Sequence, residues 1–199
     1  MPRLARSSGQ PISLRRCQWP GNDPLMVRYH DEEWGVPVHN DRLLFEYLTL
    51  EGAQAGLTWR TVLHRRDAYR KAFAKFDPAK IARFTQADEQ RLLNDAGIIR
   101  NRLKIAATVT NAQGVLALQE EFGTLDRYVW GFTDGKTLRT PGLRSLADVP
   151  AKTTQSEAMS KDLQKRGFRF VGSTICYAFM QATGLVNDHV IGCFRAREI

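Results

Sequence analysis

At 199 residues and 43% hydrophobic, the chain is long enough to bury one well-formed core and is most simply a single domain. Its 29 Lys and Arg against 21 Asp and Glu leave a net charge of +8, which favours a polyanionic partner, since phosphate contacts release counterions, but does not by itself name one. Three cysteines make no disulfide framework and favour a reducing cytosol, no stretch reaches the roughly 20 apolar residues of a membrane span, and the start, MPRLARSSGQPISLRR, lacks a signal peptide's apolar core and reads as a basic, disordered lead-in over 1–16.

The predicted elements are helices, and strand alternation is almost absent. Asn40 and Asp41 offer N-caps to LLFEYLTLEGAQ, which glycines at 52 and 56 loosen. Thr58 can cap one helix through WRTVLHRRDAYRKAFAKF, with Val62, Leu63, Tyr69 and Phe73 inward and Arg65, Arg66, Arg70 and Lys71 outward, until Pro78 forces a break. Asp77-Pro78 starts a short third helix. Thr85 with Asp88 caps QADEQRLLNDAG, Gly97 suits its stop, and a longer helix runs from Asn101 to about Gln119. Residues 133–150, rich in Gly, Pro and Thr, form the one substantial loop.

Near the end, SEAMSKDLQKRGF reads as a helix closed by Gly167, and VGSTICYAFMQATG as another opened after Gly172. A helix, a tight glycine-bearing hairpin and a second helix expose backbone N–H groups where the dipole favours an anion, so Gly172, Ser173 and Thr174 can hold a DNA phosphate without reading a base. An ordinary αα-hairpin in a helical core is the commoner outcome. The cations beside this one, Lys161, Lys165, Arg166 and Arg169, shift the balance toward phosphate.

Cys17 and His30 near the start and His189 and Cys193 near the finish make a Cys₂His₂ set, the ligand class that closes a tetrahedron around zinc at roughly 2.0–2.3 Å per bond. His189 and Cys193 share a face if their segment is helical, whereas the first pair spans twelve residues and needs a loop. Four donors leave no position for substrate, so such a metal is a structural clasp between the chain's ends. On spacing alone, two buried thiols and two satisfied histidines are an equal reading.

The strings CQWPGNDPLMVRYHDEEWGVP, LTLEGAQAGLTW, DAGIIRNR and KRGFRFVGSTICYAFMQATGLVNDH resemble the motif set of the Tag family, the 3-methyladenine DNA glycosylases I, over nearly everything from Cys17 to Cys193. The resemblance implies an all-α, two-lobed helix-hairpin-helix glycosylase occupying 17–199, with a structural zinc on Cys17, His30, His189 and Cys193 joining the N- and C-terminal segments. It implies a base pocket at Trp19, Tyr29 and Trp59, and a loop of Gln54, Gly56 and Leu57 that wedges into the gap left by a flipped nucleotide. The partners implied are double-stranded alkylated DNA and, as product, free 3-methyladenine, acted on by a cytosolic, nucleoid-associated monomer.

The chemistry can be argued beside the resemblance. Methylation at N3 gives adenine a positive charge that weakens its bond to the sugar, so extraction and recognition become the main tasks. Aromatic faces hold a flat, electron-poor base by stacking and cation–π attraction. Glu51 lies in a stretch too apolar for an idle carboxylate and can accept from the exocyclic amine while favouring a cationic purine; without the family, a solvent-facing helix glutamate is the commoner reading. Trp34 reads as core, Cys176 as a buried thiol, and His39 and His64 as surface residues. Met26 stands where an aromatic is often found and alters the pocket's shape. Many helix-hairpin-helix glycosylases carry a catalytic aspartate where this chain has Asn187, and the next imidazole, His189, is a metal candidate, which is consistent with a monofunctional hydrolase limited to lesions that leave easily. A DNA-binding protein of the same fold without catalysis is the alternative; the presence of Glu51, Tyr29 and Trp59 argues against it.

Overall fold

Residues 14–198 are described by the structure, a computed structural model; residues 1–13 of the expected lead-in, and Ile199, lie outside the described part. Residues 14–16 are tied to the fold: Arg16 donates to Asp31 at 2.7 Å, and the Arg15 carbonyl accepts from Phe194 N–H at 2.9 Å. No described helix is long and apolar enough to cross a membrane.

Helix α1 (Pro24–Glu32) lies in the stretch between Cys17 and His30 where the spacing predicts a loop, and starts on the Asp23 carboxylate with Pro24 in its first turn. Helix α2 (Asp41–Gln54) starts on Asn40, whose Oδ1 accepts from Leu43 N–H at 3.0 Å, and is buried at every position from Leu44 to Ala53. Four of the helices that follow pack against it. A helix without a polar face has to account for its two buried carboxylates, Glu46 and Glu51.

The single helix expected over 59–76 is broken. Helix α3 (Trp59–Leu63) and helix α4 (Arg66–Ala72) are separate, and a turn at 74–76 places Lys75 at φ 55°. The break swings Arg66 inward, against expectation: buried, it donates to Glu33 and Glu46, while Tyr47 donates to Glu33 at 2.7 Å and Arg70 pairs with Glu46 at 2.8 Å. Glu46 is thereby compensated; the loss of helical continuity is offset by pairing charges that would otherwise be buried alone.

Helix α5 (Pro78–Ile81) and helix α6 (Gln86–Leu93) follow, the latter on the expected Thr85–Asp88 capping box but ending four residues before Gly97. Helix α7 (Arg102–Phe122) and helix α8 (Leu125–Trp130) complete the middle of the chain. The 133–150 loop contains a two-residue strand, β1 (Leu138–Arg139), paired in parallel with β2 (Val186–Asn187), too short for any alternation to announce it. The Leu143 carbonyl also accepts from Ile191 N–H at 2.7 Å.

Helix α9 (Thr154–Lys165) closes on Gly167 at φ 88°, where Gly167 N–H reaches the Gln164 carbonyl and Phe168 N–H the Leu163 carbonyl, a Schellman stop. Helix α10 (Ser173–Ala182) follows. The turn between them is locked to α7: Asn111 donates to the Arg169 carbonyl at 2.9 Å and accepts from its N–H at 2.8 Å. Gly114 lies so close that an added Cβ would meet the Phe168 ring at 2.4 Å.

Candidate active site

A pocket of about 360 Å³ opens where α1, α2, α3 and α10 meet the 133–150 loop. Tyr29 of α1 and Trp59, the first residue of α3, are in contact, their rings tilted by 45° with centroids 5.1 Å apart. Trp19 closes one end, edge-on to Tyr29 at 6.1 Å and to Trp34 at 5.1 Å. Met26, Gln54 and Glu51 line the pocket, so the residues assigned to the base are brought together here. Trp34, read as core, lines it as well, together with Leu146, Val149, Ala178 and Gln181. Leu146 and Val149 come from the loop with no periodic pattern, and no sequence signal pointed to them.

Glu51 is the polar centre of the pocket. It is 4% exposed, and burial, with no counteracting partner, pushes its carboxyl up to about 8. The indole N–H groups of Trp19 and Trp59 are buried without a hydrogen-bond partner among the described residues. Buried donors are rarely left unpaired. Two unused donors, one unused carboxyl and aromatic faces are the features that a flat heterocycle bearing both donors and acceptors would use.

Gly56 and Leu57 form the exposed turn between α2 and α3. Gly56 has φ 77°, and an added Cβ would meet nothing within 4 Å, so the backbone angle and not a close neighbour asks for glycine. Lys104 Nζ donates at 2.7 Å to the Ala53 and Ala55 carbonyls at the end of α2, fixing where the turn departs.

Cys17, His30 and Cys193 bring their ligand atoms within 4.8 Å of one another, all buried. His30 Nε2 lies 3.5 Å from Cys193 Sγ, which matches the edge of about 3.5 Å that a tetrahedral zinc imposes between nitrogen and sulfur. His189 is adjacent, its ring centroid 5.0 Å from that of His30. Its segment is a loop, not the helix turn the spacing suggested, because Gly192 at φ 89° bends the chain before Cys193.

Both imidazoles are held in the tautomer a metal needs. His30 Nδ1 donates to Asp31 at 2.8 Å, and His189 Nδ1 donates to Asn187 Oδ1 at 2.9 Å. Each Nε2 lone pair is therefore available, and His189 Nε2 is buried with no partner among the described residues. Burial also lowers the His189 imidazole to about 3 and pushes the Cys17 thiol up to about 12, so a thiolate here needs a cation to stabilise it. The donor set fits a structural metal. Asn187, singled out because it carries no charge, has a local task in orienting His189.

At the hairpin between α9 and α10, α10 begins at Gly172 with no side-chain cap, leaving the N–H groups of its first turn, at Ser173 and Thr174, unclaimed by side chains among the described residues. Lys165 is exposed. Arg166 is differently placed: its guanidinium pairs with Glu121 and Asp162, each at 2.6 Å. Its charge is largely answered within the protein. Cys176 is buried and bonds to the Val171 carbonyl, His39 is exposed beside Asp126, and His64 is half-exposed.

Comparison with known proteins agrees with this geometry. The chain belongs to the methyladenine glycosylase family, whose pattern matches residues 19–196. It is 49% identical over 180 residues to DNA-3-methyladenine glycosylase 1 of Escherichia coli K12, covering 90% of this chain and 96% of that one. It is 47% identical to DNA-3-methyladenine glycosylase of Haemophilus influenzae, covering 89% and 96%. Among solved structures, a 3-methyladenine DNA glycosylase I superposes with a TM-score of 0.88 at 51% identity, covering 90% of this chain and 98% of that one. The Staphylococcus aureus enzyme, solved to explain 3-methyladenine recognition, superposes with a TM-score of 0.87 at 33% identity, covering 91% and 96%.

Proposed function

We propose that this chain is a base-excision repair enzyme that hydrolyses the N-glycosidic bond of 3-methyladenine in alkylated DNA. One observation carries the reading: in a chain that belongs to this family, a buried carboxyl without a partner stands among aromatic faces in a pocket sized for a purine. The lesion leaves the stack, at a cost of a few kcal/mol, and enters the pocket against the Tyr29 and Trp59 rings. Its positive charge draws Glu51 into the ionised form, which then accepts from the exocyclic amine and favours the cation, while the Trp19 indole donates to a ring nitrogen. The base already carries the charge of a leaving group, so no side chain has to protonate it. Asn187, engaged with His189, supplies no nucleophile, in keeping with hydrolysis without a lyase step.

Duplex DNA is held by a helix-hairpin-helix element, α9, its turn and α10, through backbone N–H groups at Gly172, Ser173 and Thr174 with Lys165 beside them. Arg166 has a smaller share, its charge being taken up by Glu121 and Asp162. Gln54, Gly56 and Leu57 reach into the gap left by the flipped nucleotide. A zinc held by Cys17, His30, His189 and Cys193 ties the two ends of the chain together and takes no part in the reaction. The enzyme acts as a monomer in the cytosol, on nucleoid DNA.

The test is single-turnover release of 3-methyladenine from methylated duplex by the wild type, Glu51→Gln and Trp59→Ala. Glu51→Gln keeps size and one acceptor, and losing a charged hydrogen bond worth about 1.5–3 kcal/mol slows excision about ten- to a hundredfold. Trp59→Ala weakens capture of the free base as well. Wild-type rates in Glu51→Gln remove the carboxylate from the mechanism; no release by the wild type returns the chain to lesion binding without catalysis.

A further inference from the structure

The two principal walls of the pocket stand on helices of unequal strength. Tyr29 sits on α1, nine residues long, but Trp59 opens α3, which has only five and is too short to hold its own place. The turn before it, with Gly56 at φ 77°, is exposed. Buried Val62 and Leu63 seat α3 in the core, and a further tie to α1 fixes how Trp59 lies against Tyr29 at 5.1 Å.

Asp23 supplies that tie with one carboxylate. Its Oδ1 accepts from Leu25 N–H at 2.9 Å and Met26 N–H at 3.3 Å, capping α1. Its Oδ2 accepts from His64 Nε2 at 2.7 Å and forms an ion pair with Arg60 Nε at 2.7 Å. Arg60 follows Trp59 directly, and His64 is the C-cap of α3, so both ends of the short helix are tied to the start of α1. The Asp23 side chain is 5% exposed, whereas Arg60 and His64 are 67% and 47% exposed, and none of the three lines the pocket. The His64 hydrogen bond holds the Asp23 carboxyl at about 2, so the carboxylate is charged throughout the neutral range.

We infer that Asp23, clasped by His64 and Arg60, is a positioning residue that sets the separation of Tyr29 and Trp59 and thereby the affinity for the flipped base. This rests on the base-pocket reading given above. Exposed partners contribute little to global stability, whereas a small misplacement of a wall that lies against the base is felt directly in binding and rate. The clasp therefore acts on recognition more than on folding.

The experiment separates the cap from the clasp. Asp23→Asn keeps an N-cap of equal rank but loses the charge, Asp23→Ala loses both, and His64→Ala and His64→Gln change an exposed partner that leaves the fold intact. Melting temperature, duplex affinity, tryptophan quenching by free 3-methyladenine and single-turnover excision are measured for each. Asp23→Asn and His64→Ala are expected to melt near the wild type and bind duplex normally, yet bind free 3-methyladenine about three- to tenfold more weakly and excise it more slowly by a similar factor. His64→Gln, which retains a donor, recovers most of the loss, and adding His64→Ala to Asp23→Asn makes little further difference. Wild-type affinity for the base in Asp23→Asn and His64→Ala overturns the positioning role, as does a loss of affinity that only follows a loss of melting temperature. Failure of the wild type itself to bind 3-methyladenine overturns the base-pocket reading instead.

Discussion

Trp34 stands edge-on to the His189 imidazole with ring centroids 4.5 Å apart, so the candidate metal cluster and the aromatic pocket share a wall. Trp19 repeats the arrangement on His30 at 5.5 Å. Leu143, in the loop that carries Leu146 and Val149 to the pocket, is hydrogen-bonded to Ile191, between two of the metal candidates. Whatever holds the imidazoles in place also holds two pocket faces and part of its rim.

Loss of the metal should therefore be felt in two measurements. Purified protein is expected to contain about one zinc per chain, and Cys193→Ser to lower the melting temperature by about 10 °C or more, since several kcal/mol of metal binding are lost at roughly 2–4 °C per kcal/mol. Affinity for 3-methyladenine should fall with it, because Trp19 and Trp34 lose their backing. Metal analysis finding no zinc, or unchanged melting in the variant, would sink the clasp.

Glu51 gives a pH dependence of defined sign. Its carboxyl is raised from 4.5 to about 8 by burial, so between those values the folded state holds a proton that the unfolded chain has released. Stability from this group is complete below pH 4.5 and falls as pH rises through 8. Glu51→Gln removes that burden, and its advantage over the wild type in unfolding free energy, read from urea unfolding, should grow from pH 5 to pH 8, reaching on the order of a few kcal/mol. Binding of the cationic lesion near neutral pH should release a proton, detectable by calorimetry in buffers of different ionisation enthalpy. A constant difference between the two proteins across pH would show that the carboxyl is not raised.

The two neighbouring cations of the hairpin should separate cleanly. Lys165→Ala is expected to weaken binding to all duplexes alike and to reduce the salt slope by about 1, as for one phosphate contact. Arg166→Ala breaks pairs with Glu121 and Asp162 and should lower stability by about 1 kcal/mol, with a smaller effect on the slope. Fluorescence titrations at several salt concentrations and urea unfolding decide it; identical behaviour of the two variants would remove the distinction.

Gly114→Ala tests how firmly the hairpin is seated. The added methyl would meet Phe168 at 2.4 Å, and the overpacking should cost about 1–3 kcal/mol in urea unfolding. Because Phe168 belongs to the turn that Asn111 clamps, duplex affinity should fall while affinity for the free base changes little, neither residue lining the pocket.

The sequence reading and the structure part company at identifiable places. Asn40, Thr85, Asn101 and Gly167 could be read directly, because each bonds within a few residues of itself and the energy is local. Glu51 and the aromatics were legible as residue types out of place in their segments. Leu146 and Val149 were not, since a loop without periodicity gives no hint of the wall it will join.

By itself the sequence determined where several helices start, at Asn40, Asp77, Thr85 and Asn101, and where one stops, at Gly167, which donors were available for a metal, and, through long ordered motifs, which family's pocket to expect. The tertiary structure decided that the 59–76 helix breaks so that Arg66 can meet Glu33 and Glu46, that Arg66 faces inward, that Asn187 orients His189, and that Asp23 ties α3 to α1. Apart from the Asn187 contact, each of these joins residues 20 to 41 positions apart. Periodicity and caps carry no information about such pairs, because burying a charge forces it to find a partner only after the chain has folded around it.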